Sequence, residues 1–217
     1  MSNTRIVVLI SGNGSNLQAI MDHISAGEID ANIAAVISNK VNAYGLKRAK
    51  LAGIKTYVVD HTQFSTRELF DRSLMKIIDP YWPDIIVLAG FMRILTTEFV
   101  MRYSGKLINI HPSLLPLYRG LHTHRRVLAD KRTQHGASVH FVTPELDAGA
   151  VLIQGVVPVK KEDNEETLSA RVHQIEHIIY PQAVKLLANY KVELRANNIY
   201  INNQLLEQPK QYQLKNK

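Results

Sequence analysis

Short runs of uninterrupted apolar residues alternate with segments of helical spacing along this chain, and few folds accept that alternation. Ile6–Ile10 reads IVVLI, Ile33–Ile37 reads IAAVI and Ile85–Ala89 reads IIVLA. A strand that is apolar at every position has no solvent face, so it must be covered on both sides, as in a parallel sheet flanked by helices. The spacing predicts strands at Arg5–Ile10, Ile33–Ile37, Lys55–Val59, Asp84–Ala89 and Lys106–Ile110, and further ones near Ala137–Val142 and Val151–Val159. Between them, Leu17, Ile20, Met21 and Ile24 recur at helical spacing. Tyr44–Leu51 reads as a helix stopped by Gly53, and Thr66–Ile78 as one stopped by Pro80. A short helix is expected near Arg125–Leu128. A long one is expected from Glu165 to Tyr190, opened by an Asp163/Glu166 capping pair and kinked at Pro181. The class is α/β: an open, mostly parallel twisted sheet with helices on both faces. Residues 1–190 are expected to form one such domain. Residues 191–217 are expected to form an extension, with a hairpin over Val192–Leu205 turning around Ala196–Asn198 and then a basic tail.

The 217 residues contain no cysteine. That excludes a disulfide framework, thiolate catalysis and cysteine-based zinc sites, and fits a reducing cytoplasm, the expected location. The first apolar run is far too short for a signal core or a membrane span. The formal charge of +7 is concentrated toward the end, where residues 191–217 hold five basic side chains against two acidic ones. No basic block is dense enough, or interleaved with enough aromatic residues, to read as a nucleic-acid surface. A mild positive excess suits an anionic small substrate.

Three local patterns point to chemistry. Leu107–Pro116 reads LINIHPSLLP, and it places Asn109 and His111 two residues apart at the end of a buried strand. They therefore share a face. An amide and an imidazole aimed together are poor core material, but they suit holding a carbonyl and moving a proton. Ser11-Gly12-Asn13-Gly14-Ser15-Asn16 joins the first strand to the first helix. A glycine-bearing turn at a helix N-terminus favours an anion. Leu17 stands where a dinucleotide fingerprint needs its third glycine, and Ser38-Asn39-Lys40 offers no acid for a ribose diol, so a phosphate monoester fits better. Thr143–Gly149 places Asp147 on a loop between strands. It is either a turn residue or a carboxylate partner for His111. His122 and His124 are read as loop histidines rather than as a metal pair, since the spacing supplies no third ligand.

Taken together, Ile10–Leu17 (ISGNGSNL), Leu88–Leu95 (LAGFMRIL), Asn109–Pro116 (NIHPSLLP), Gly120–His124 (GLHTH) and Ser138–Asp147 (SVHFVTPELD) resemble the folate-dependent formyltransferases. The resemblance runs from about Ile6 to Tyr190. NIHPSLLP is shared by the wider group that transfers or hydrolyses folate-borne formyl groups. ISGNGSNL is more selective for the branch acting on glycinamide ribonucleotide in purine synthesis. The chain also has no room for the RNA-binding or regulatory domains of the longer relatives.

The resemblance implies a Rossmann-like formyltransferase fold and a reaction with two small-molecule substrates, glycinamide ribonucleotide and 10-formyltetrahydrofolate. No metal, nucleic acid or membrane partner is implied, and the assembly is a monomer or a homodimer. It implies a catalytic trio of Asn109, His111 and Asp147. It places the ribonucleotide against Gly14, Ser15, Asn16, Pro112, His173 and Glu176. The folate falls against Arg67, Met92, Arg93, Ile94, Leu95, Asn109, Thr143 and Asp147. Read by themselves, Arg67 is a surface helix residue, Glu176 a solvated one, and Met92, Ile94 and Leu95 are core. Two other functions stay open on the residues alone: a related formyl hydrolase or sugar-nucleotide formyltransferase, and a non-catalytic or dinucleotide-binding α/β protein.

Overall fold

A computed structural model describes residues 4–214. The chain begins with β1 (Thr4–Ile10), α1 (Ser15–Ser25), β2 (Ala31–Ser38), α2 (Tyr44–Leu51), β3 (Thr56–Val58) and α3 (Arg67–Ile78). It continues with β4 (Ile85–Leu88), α4 (Thr97–Arg102), β5 (Leu107–His111), α5 (Thr123–Ala129), β6 (Gln134–Phe141), β7 (Val151–Pro158) and α6 (Glu165–Asn189). The final strands are β8 (Val192–Arg195), β9 (Asn198–Ile201), β10 (Gln204–Leu205) and β11 (Lys210–Gln213). Among the described residues, eight strands form one sheet in the order β11-β7-β6-β5-β4-β1-β2-β3, while β8–β10 form a small second sheet. From β3 through β5 all neighbours are parallel, whereas β6 runs antiparallel to both β5 and β7.

The expected α/β sheet with helices on both faces is what forms. Alternate residues of each central strand feed two separate cores. Ile6, Val8, Ile10, Val87, Ile108 and Ile110 pack under α1, α2 and α6. Val7, Leu9, Ile86, Leu88 and Leu107 pack under α3 and α4. Asn109 and His111 follow Leu107 by two and four residues, so they lie on the α3/α4 face.

The chain winds from β1 outward to β3 and then returns to β4 on the other side of β1. Such a reversal leaves a crevice at the carboxyl ends of the strands, because the two flanking connections depart to opposite faces. Tyr180 of α6 pins that region from one side: its hydroxyl donates to the carbonyls of Leu88 (2.9 Å) and Ile108 (3.3 Å).

Three details differ from the sequence reading. The cap of α6 sits one residue later than expected: Asn164 accepts from the Thr167 N–H, and Thr167 Oγ1 accepts from the Asn164 N–H. Asp163 instead grips Arg171 at 2.6 and 2.8 Å, and that guanidinium holds its carboxyl well below the usual range. Pro181 lies inside α6, which runs from Glu165 to Asn189, close to the expected extent. The α4 helix was not anticipated, although Thr96 caps it by accepting from the Phe99 N–H. Finally, residues 210–213 are no loose tail, because β11 pairs in parallel with β7 and closes that edge of the sheet. The hairpin turn Ala196-Asn197 has φ of 46° and 63°, the left-handed pair that a two-residue hairpin requires.

Candidate active site

The loop after β1 is shaped by close approach of two backbones. Gly14 caps α1 with φ 74° and no side-chain cap, which leaves the first N–H groups of the helix for a ligand. A Cβ on Gly14 would lie 2.6 Å from the Gly45 Cα, so only glycine lets α2 pack here. Ser15 opens α1. Asn16 turns inward, and its Nδ2 donates to Glu176 Oε2 at 3.0 Å. Both side chains are buried, and Asn16 Oδ1 is left with no partner. Burial raises the Glu176 carboxyl above its ordinary value, against the pull of Asn16 and His173. His173 stands exposed, 4.0 Å from the same carboxylate. Thus α1 and α6 bring Asn16 and Glu176 together at 3.0 Å across 160 residues of chain, so Glu176 is not a solvated glutamate.

Beyond β4 the chain turns at Gly90 (φ 72°) and is held by Ser11, whose Oγ accepts from the Met92 N–H at 2.7 Å and donates to Asn39 Oδ1 at 2.6 Å. Ser11 is a support that the sequence reading missed. Met92 and Ile94 are 69% and 59% exposed. Their alternative reading as core therefore fails, and they form an apolar rim beside the crevice. Leu95 is half-buried. Arg93 Nε is buried without a partner. Arg67 is an exposed residue at the start of α3.

On β5, Asn109 pairs across the ladder with His140, and His111 with Ser138. Directly opposed residues point to the same face, so Asn109, His111 and His140 converge. The β6–β7 loop folds back over them. Asp147 takes a left-handed backbone, φ 49°, which Asp tolerates better than most residues. Its Oδ2 accepts from the Gly120 N–H at 2.9 Å and lies 3.4 Å from His111 Nδ1. Its Oδ1 lies 3.7 Å from His140 Nε2. The His111 and Asp147 side chains are each 8% exposed.

His111 Nε2 is 2.9 Å from the Tyr118 carbonyl. A carbonyl only accepts, so Nε2 carries a hydrogen and Nδ1 is the atom turned to Asp147. Pro112 continues from His111 into a loop anchored from below: Ser138 Oγ donates to the Ser113 carbonyl and accepts from the Leu115 N–H, and Gln154 Nε2 donates to the Leu115 carbonyl. Glu145 and Arg119 join the two loops at 2.7 Å. Thr143 Oγ1 donates to the Glu145 carbonyl within its own turn. His140 carries no local sequence mark of function. Its signal was the antiparallel register opposite Asn109, which no local pattern carries.

Among the described residues, no group of three His, Asp or Glu is placed to hold a metal. His124 instead pairs with His135, Nδ1 to Nε2 at 3.0 Å. Burial first, then repulsion from His124 and His111, pushes His135 down to about 4 from 6.5. The unfolded chain therefore takes up a proton below about pH 6.5 that the folded chain refuses until about pH 4. Stability is full above that window and falls as pH drops through it, by on the order of 3 kcal/mol. Urea unfolding of wild type and His135→Gln at both ends of the window checks this. The variant should show the shallower loss, and equal slopes would remove His135 as its source.

Residues 4–184 match the formyl transferase family model. The chain is 51% identical to the phosphoribosylglycinamide formyltransferase of Escherichia coli (strain K12), over 93% of this chain and 95% of that one. It is 45% identical to part of the human trifunctional purine biosynthetic protein adenosine-3, over 89% of this chain and 19% of that one. The solved phosphoribosylglycinamide formyltransferase of Coxiella burnetii superposes with a TM-score of 0.92 at 48% identity, covering 97% of this chain and all of that one. The chain belongs to the formyl transferase family.

Proposed function

We propose that the protein is a phosphoribosylglycinamide formyltransferase of purine synthesis. It transfers the formyl group of 10-formyltetrahydrofolate to the amine of N1-(5-phospho-D-ribosyl)glycinamide. The observation that carries this reading is the convergence of Asn109, His111 and Asp147 at the end of β5.

The residues present fit both substrates. The free N–H groups at Gly14, Ser15 and Asn16 suit a phosphate, with His173 as a nearby cation when protonated. Asn16 Oδ1 and Glu176 offer buried acceptors to the hydroxyls or amine of a ribonucleotide, and Pro112 is assigned to the same substrate. Met92, Ile94 and Leu95 offer an apolar face to a pterin, with Thr143 and Asp147 closing over it. Arg93 Nε lacks a partner, and Arg93 and Arg67 suit an anionic glutamate tail. The formyl donor supplies an activated carbonyl, and the ribonucleotide supplies its own nucleophile.

Asn109 donates an amide hydrogen to the formyl oxygen as negative charge gathers there. His111, protonated at Nδ1, adds a second donor and serves as the general acid. Asp147 sets its negative charge 3.4 Å from that nitrogen. As the new C–N bond forms and the bond to the folate nitrogen breaks, the amine loses one proton and the leaving nitrogen gains one. His111 and Asp147 are placed to relay it. The remaining contribution is alignment of the two substrates.

Incubation with glycinamide ribonucleotide and a 10-formylfolate, followed by absorbance of the deformylated folate, tests the reading. Release should require the ribonucleotide. Release at the same rate without it would make the protein a hydrolase.

A further inference from the structure

His140 has no part in the steps above, yet it is 2% exposed and touches two of the three groups that act in them. We propose that His140 is a positioning residue: as a neutral imidazole carrying its hydrogen on Nδ1, it locks the Asn109 amide with its nitrogen, not its oxygen, toward His140. The inference rests on the formyl-transfer reading for its kinetic consequence but not for its geometry.

The hydrogen bonds around His140 fix this state. His140 Nδ1 lies 2.9 Å from the Phe141 carbonyl, which can only accept, so Nδ1 carries a hydrogen. Asn109 Nδ2 lies 3.3 Å from His140 Nε2. An amide NH2 has no lone pair to accept with, so Nε2 must be the bare, accepting nitrogen. A second proton on Nε2 would set two donors against each other, and the amide would have to turn over to present its oxygen. Asn109 would then show its oxygen where the wild-type protein shows nitrogen, and an oxygen cannot stabilise a developing oxyanion.

The surroundings favour the neutral ring. Burial holds His140 below the ordinary imidazole value, and His111 and Arg119 push the same way. The Phe141 carbonyl and Asp147 oppose them. Asp147 Oδ1 at 3.7 Å is too far for a hydrogen bond, so it does not claim the Nε2 position. The ladder itself fixes the partnership, because His140 sits directly opposite Asn109 on β6. Of the two amide hydrogens on Asn109, one is spent on His140 and the other is left for the formyl oxygen.

Long-range proton–nitrogen NMR of the unliganded wild-type protein reads this directly. The expected spectrum shows His140 as the Nδ1–H tautomer throughout about pH 6 to 8, the range in which a free imidazole would titrate. A through-hydrogen-bond nitrogen–nitrogen coupling to the Asn109 amide is expected with it. An Nε2–H tautomer, or a charged ring anywhere in that range, would overturn the proposal. In kinetics, His140→Asn keeps a donor near the Phe141 carbonyl but ends short of Asn109. It should lower kcat about tenfold, a fraction of what a lost oxyanion donor costs, with both KM values within about twofold. A loss carried by KM with kcat spared would equally overturn it. Failure of the wild-type protein to formylate the ribonucleotide would defeat the functional reading alone, since the tautomer is read without substrate.

Discussion

Replacing His111 with alanine is expected to lower kcat by about a thousandfold, within the range for loss of a general acid, while the ribonucleotide KM stays within about twofold. The separation follows from where the groups lie. His111 is on the α3/α4 face of the sheet, tethered through Nε2 to the Tyr118 carbonyl and turned through Nδ1 to Asp147. Gly14, Asn16 and Glu176 belong to α1 and α6, which cover the opposite face. Removing the imidazole therefore takes away the acid without touching the proposed phosphate and ribose contacts. The variant also leaves the Tyr118 carbonyl without its donor, a cost of about 1–2 kcal/mol that a thermal melt will register. Steady-state rates with each substrate varied in turn decide the matter. Collapse of ribonucleotide binding with kcat preserved would show that His111 belongs to the binding surface instead.

Asp147→Asn is expected to lower kcat by about a hundredfold with little loss of stability. Asparagine tolerates the left-handed backbone that Asp147 adopts at φ 49°, and its amide oxygen can still accept from the Gly120 N–H. What disappears is the negative charge facing His111 at 3.4 Å. Asp147→Ala removes the charge, the left-handed tolerance and the Gly120 contact together, so it should lose more of both rate and stability. Comparing kcat and the unfolding midpoint of the two variants separates the carboxylate's charge from its part in holding the loop. A wild-type rate in Asp147→Asn would eliminate the charge from the mechanism.

Much of the fold was legible because strands and helices are local statements. The all-apolar runs at Ile6–Ile10 and Ile85–Ala89 needed cover on both faces wherever they ended up, and they occupy the middle of the sheet. Asn109 and His111 share a face because they are two residues apart on one strand, and that holds whatever surrounds the strand. Gly14 was readable as a turn at a helix start. Its need to be glycine was not, since the clash it avoids is with Gly45, which α2 brings in from another connection. The cap of α6 was misplaced by one residue because Asp163 and Asn164 are both good caps, and Arg171 claims the first. The strand β11 was invisible because Lys210–Gln213 is polar, and a polar edge strand carries no alternation to read.

The amino-acid order by itself therefore determined the α/β class, the anion-favouring first turn and the paired amide and imidazole on β5. It did so because the 2.0 and 3.6 residue periods and the chemistry of a turn are set within a few bonds. Tertiary structure alone decided three partnerships: Asp147 with His111 at 3.4 Å, Asn16 with Glu176 at 3.0 Å and Asn109 with His140 at 3.3 Å. Each joins residues from different strands, helices or loops, and their meeting depends on sheet order, strand register and the left-handed turn that carries Asp147 back over β5. Register is a property of two strands at once, and that is why a single line of sequence leaves it open.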